Sequence, residues 1–128
     1  MNYYVFTYTD KNGEQKELRL RLTSSDSIEI ENIHKKSITS FIQEESMNMI
    51  CTMLRYLRKW EDKNFSFNQA QKLYDELIDS GMTMKRILTD VIYEALVVSG
   101  FLEKEEWEEM KRVDKKIKDK TMETLLQE

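Results

Sequence analysis

The chain of 128 residues has no proline, only three glycines, one cysteine and one histidine. Without proline, and with so few glycines, long stretches carry nothing that breaks a helix, so a largely helical protein is expected. The lone Cys51 excludes an internal disulfide, and its apolar neighbours make it a buried thiol rather than a nucleophile. The lone His34 leaves acid–base catalysis or zinc binding without the second imidazole such sites usually need. It reads as a solvated side chain near a helix end.

Long apolar runs are also missing. The longest, Val91 to Val98, is broken by Glu94 and falls far short of the roughly 20 residues of a membrane span. Met1 to Tyr4 carries no basic region leading into an apolar run, so a cytoplasmic protein is expected, with Asn64-Phe65-Ser66 an accidental glycosylation pattern. A basic excess is absent: 20 basic against 24 acidic residues give a net charge of -4, which weighs against nucleic acid as a partner. No phosphate loop, dinucleotide turn or metal motif is present. The reading is therefore of a non-enzyme with no cofactor, working by protein–protein contact.

What is present has a clear order. Tyr3 to Thr9 is a β-branched and aromatic run, and Leu18, Leu20 and Leu22 alternate along a second strand. The Asn12-Gly13 pair between them supplies the positive dihedrals of a tight turn, giving a β-hairpin. From Thr23 the period becomes helical. Thr23 with Asp26 caps a helix whose apolar side is Ile28, Ile30 and Ile33. Ser37 starts a short helix with Ile38, Phe41 and Ile42, and Ser46 one with Met47, Ile50, Met53, Leu54, Leu57 and Trp60. Ser66 and Gln69 form a capping box before Phe67, Ala70, Leu73, Tyr74, Leu77 and Ile78, closed by Gly81. Thr83 opens a helix through Val98, apolar nearly all round and so expected to be the most buried, with Gly100 ending it. The fold class is α+β, mainly α. A hairpin over 2–22 and a compact bundle of about five helices over 23–102 make one domain, 1–102.

Residues 103–128 read as a charged helical extension, nine acidic and seven basic residues around a thin stripe of Trp107, Met110, Val113, Ile117 and Leu125. Asp75, Glu76 and Asp79 share part of a helix face, yet paired carboxylates hydrolyse sugars only where a cleft perturbs them. A solvated face is the plainer reading. The helix–Gly81–helix outline over 66–99 is that of a helix-turn-helix in a small DNA-binding regulator. Its second helix sets Lys85 and Arg86 among aliphatics, as a core helix does. Methionine is abundant, and flexible, polarizable side chains suit adaptable binding surfaces. Met47 and Met53 read as core, while Met49, Met82 and Met84 fall at edges or junctions. With Trp107, Met110 and Val113 they form the candidate partner-binding set, and the Trp107–Val113 seam makes a homo-oligomer an expectation as well.

Several segments occur in a telling order. Leu20-Arg21-Leu22-Thr23-Ser24 follows the hairpin, and Lys35-Lys36-Ser37-Ile38 marks a turn. Ile50-Cys51-Thr52-Met53-Leu54-Arg55-Tyr56 and Leu73-Tyr74-Asp75-Glu76-Leu77-Ile78-Asp79 lie on helices, and Val97-Val98-Ser99-Gly100-Phe101 closes the last one. Over residues 15 to 102 this resembles the tail assembly chaperones of long-tailed phages and prophages of Gram-positive bacteria, functional relatives of the lambda G protein. The resemblance is one of pattern, with no catalytic signature. It implies a protein of the host cytoplasm that binds the tape-measure protein, shields its long apolar helices, helps recruit tail-tube protein and is absent from the virion. It also implies a minor, longer product made by frameshifting.

Overall fold

The computed structural model describes residues 2–108. Strand β1 (Tyr4–Thr9) pairs antiparallel with β2 (Gln15–Leu20), Tyr4 opposite Leu20 and Thr9 opposite Gln15. Strand alternation buries Tyr8, Leu18 and Leu20 on one face and exposes Val5, Thr7, Glu17 and Arg19 on the other. The connection is wider than the expected Asn-Gly turn. It runs from Asp10 to Glu14, and within it only Gly13 takes a positive φ, 82°. The reason is the Asp10 carboxylate, whose Oδ1 accepts the backbone N–H groups of Asn12 and Glu14, each at 2.9 Å. Gly13 N also donates to Asp10 O at 3.0 Å, so the side chain braces a backbone turn within this longer loop.

The capping residues legible in the sequence all act as caps. Thr23 precedes α1 (Ser24–His34), Ser37 precedes α2 (Ile38–Gln43), Ser46 precedes α3 (Met47–Lys59) and Ser66 precedes α4 (Phe67–Asp79). Each hydroxyl accepts the backbone N–H three residues on, and Gln69 completes the box at Ser66. After Thr83, α5 (Met84–Arg86) continues into a π-helical stretch (Ile87–Tyr93) and then α6 (Glu94–Val98). The sequence pattern alone predicts one regular helix here. The wider π turn sets residues four and five apart on the same side, which carries Ile87, Leu88, Val91, Ile92 and Tyr93 all inward.

The core departs from expectation in three places. The most enclosed helix is α3, buried at Met49 through Leu54 and at Tyr56 and Leu57, because it packs against β2, α4 and the π-helical stretch. In α6, Val97 and Val98 are only half-buried. Of the isoleucines on α1 only Ile30 is buried, while Ile28 and Ile33 are 55% and 57% exposed. The helix meets α3 through charge instead: Lys59 lies 2.9 Å from Glu29 and 3.8 Å from Asp26. Phe67, in the first turn of α4, stays exposed, as does Met47 in the first turn of α3. Residues 104–108 form a helical turn that returns to the bundle at Trp107.

Candidate partner-binding surface

The structure separates the candidate binding residues. Met49 is fully buried in the core cluster, so it presents nothing to a partner. Trp107 is enclosed too. Its Nε1 donates to Glu94 Oε1 at 3.0 Å, and its ring meets Tyr93 edge-on at 4.9 Å. The residues around it, Glu103 to Glu106 and Glu108, are exposed, so the indole anchors this turn, and the expected partner-facing role is taken by an intramolecular contact. Met82 is half-buried against the core, whereas Met84 is 42% exposed. Met110 and Val113 lie outside the described residues.

Met47, read from the sequence as core, is also 42% exposed. Its helical spacing fits the apolar stripe, but it is the first residue after the Ser46 cap, and the stripe is covered only from Met49 onward. The signal that distinguishes it is thus its place in the helix rather than its period. Helices α3 and α4 are joined by the short segment 60–66, and Cys51 lies close to both Tyr74 and Asp75. That pairing points the first turn of α3 toward the C-terminal end of α4. There Ser80 Oγ bonds back to Leu77 O, Gly81 turns with φ 109°, and Thr83 caps the turn that carries Met84. Met47, Met82 and Met84 therefore lie toward one end of the bundle, two of them exposed and one half-buried.

A charged cleft of about 230 Å³ lies between the hairpin loop and α4, lined by Asp10, Lys11, Asn12, Lys72, Asp75, Glu76 and Asp79. Glu76 is its hub. Lys16 Nζ sits 2.6 Å from Oε1, and the Tyr8 hydroxyl donates to Oε2 at 2.5 Å. These bonds, Lys16 first, hold the Glu76 carboxyl below the usual range, while burial and Glu76 push the Tyr8 phenol up. Two-carboxylate hydrolysis needs one member kept protonated near neutral pH, which is the opposite direction. Lys16 also reaches Asp10 at 3.6 Å, and Lys11 reaches Asp79 at 3.9 Å. The cluster fastens the hairpin to α4. Among the described residues no group of three or more side chains is arranged to hold a metal ion.

The remaining chemical candidates are likewise occupied. His34 is half-buried and stacked on Phe41 at 4.3 Å rather than solvated. Burial, with Asp75 second, raises the Cys51 thiol, which keeps it protonated and unreactive. In the helix-turn-helix outline, Arg86 pairs with Asp90 at 3.2 Å and the apolar side of the second helix is core. No helix among the described residues is long and apolar enough to cross a membrane. Comparison with protein-family models, with curated proteins and with solved structures found no match to this chain.

Proposed function

We propose that this protein is a tail assembly chaperone, a non-enzymatic protein of the bacterial cytoplasm that binds the tape-measure protein and helps recruit tail-tube subunits without entering the virion. The observation that carries the reading is the methionine-bearing end of the bundle. Met47 and Met84 are each 42% exposed, and Met82 is half-buried. Methionine side chains refit to different apolar shapes at little cost, which suits a surface that must hold many similar helices of one long client.

The two segments in which the family resemblance is sharpest are parts of the folded scaffold. In Leu73 to Asp79, Leu73 and Leu77 enter the core and Glu76 ties α4 to the hairpin. In Val98 to Phe101, Ser99 Oγ accepts the Leu22 N–H at 3.0 Å, fastening the end of α6 to the end of the hairpin. The test is co-expression with a phage tape-measure protein. The reading expects that protein to move from the insoluble to the soluble fraction and to co-purify. An unchanged insoluble fraction with no complex contradicts it.

A further inference from the structure

The two edges of the hairpin are treated differently. Asp10 N donates to Glu14 O at 2.9 Å and opens the ladder. By antiparallel alternation the inter-strand bonds then fall at Tyr8, Phe6 and Tyr4, and the N–H and C=O groups of Val5 and Thr7 turn to the outer edge of β1. On β2 the equivalent outward groups are used. Arg19 O accepts from Arg58 Nη1 at 3.0 Å and Trp60 Nε1 at 3.2 Å, and Arg21 N donates to Leu57 O at 3.0 Å. That edge also carries Glu17 and Arg19, charges of the kind that discourage strand addition.

Among the described residues, the β1 edge has none of these protections. From Asn2 to Thr9 there is no charge and no proline, and no backbone bond among the described residues joins β1 to anything but β2. Val5 is 43% exposed, and Thr7 and Thr9 are exposed. The strand is also its own complement. Tyr4-Val5-Phe6-Thr7-Tyr8 reads aromatic, β-branched, aromatic, β-branched, aromatic in either direction.

We propose that β1 is the interface through which two copies of this chain associate, pairing antiparallel about a two-fold axis at Phe6. A two-fold interface has to be self-complementary, and this register sets Val5 opposite Thr7 of the second copy, Tyr4 opposite Tyr8 and Phe6 opposite Phe6. Val5 and Thr7 each gain a donor and an acceptor. The half-buried Phe6 rings become a cross-strand aromatic pair. No charges oppose one another, and the two hairpins become one continuous sheet. The proposal stands apart from the chaperone reading, since it concerns a backbone edge that carries none of the methionines and needs no client.

The test is sedimentation of the full chain over a wide concentration range, with amide hydrogen exchange read at Val5 and Thr7. The expected result is a concentration-dependent dimer in which both amides become protected as the dimer forms. Thr7→Pro removes an outward donor that the hairpin does not use, and Val5→Lys places a charge on the edge. Each should weaken association about a hundredfold, a roughly tenfold loss counted twice by the two-fold symmetry. Val5→Lys tests the same edge if the proline variant is misfolded. A monomer at every concentration overturns the proposal, as does a dimer unaffected by Val5→Lys. Protection of Val5 and Thr7 only on adding the tape-measure protein also overturns it, assigning the edge to a strand of that partner.

Discussion

Tyr93, on the π-helical stretch, donates its hydroxyl to Glu45 Oε1 at 2.6 Å, and thereby holds the link between α2 and α3 from across the bundle. Glu45 has a positive φ of 50°, a conformation that costs a non-glycine residue energy and persists where its surroundings fix it. Tyr93→Phe removes the donor and leaves the ring. The expected loss is about 1–2 kcal/mol of unfolding free energy by urea denaturation with an unchanged slope. No measurable loss would show that the bond does not hold the link.

The same tyrosine sets an alkaline limit. Burial first, then Glu45, raises the Tyr93 phenol above its ordinary value of 10.0, and burial with Glu76 does so for Tyr8. Raised folded values mean that the unfolded chain loses these protons first. Their contribution is complete below pH 10 and declines as pH rises above it. A spectrophotometric titration should find two phenols ionising later than the rest, and a thermal midpoint that falls above pH 10 and falls less in Tyr8→Phe.

Acid acts on a different set. The Glu14 backbone N–H first lowers Asp10, the Lys59 bond first lowers Glu29, and the Lys16 bond first lowers Glu76. Depressed folded values give stability that is present above the ordinary values of 3.8 and 4.5 and is lost as pH falls through the lowered ones. The thermal midpoint should therefore decline below about pH 4.5. Glu76→Gln should make that decline shallower, and an unchanged slope would remove Glu76 from the account.

In the hairpin loop, Asp10→Ala leaves the N–H groups of Asn12 and Glu14 without their acceptor. A loss of about 1–2 kcal/mol is expected, and Asp10→Asn, which keeps an acceptor oxygen, should lose less. Equal losses would point to charge rather than to the two hydrogen bonds. Chemical denaturation of the two variants side by side decides it.

Much of the fold is legible in the sequence because its signals are local. Thr23, Ser37, Ser46 and Ser66 mark helix starts through hydroxyls that act within three residues, so no tertiary knowledge is needed. What is not legible depends on neighbours. Ile28 and Ile33 have helical spacing, but α1 is held to α3 by Lys59, so their side finds no apolar surface. Met47 and Met49 differ by two positions and exchange their expected roles, because burial in the first turn of a helix depends on where the next element begins. Trp107 carries the mark of an interface residue, an aromatic in a charged segment, and fills a place beside Tyr93 in its own chain. Of the candidate surface, Met82 and Met84 are found at the junction the sequence marks with Gly81 and Thr83.

The central claim is that the methionine-bearing end grips a client helix, and the most direct measurement is co-elution of the purified protein with the tape-measure protein on a sizing column with light scattering. The account predicts a defined complex that is weakened by Met84→Asp, an exposed position whose substitution leaves the fold intact. A complex indifferent to Met84→Asp moves the surface elsewhere. Separate elution of the two proteins, at concentrations where each is soluble, contradicts the claim itself.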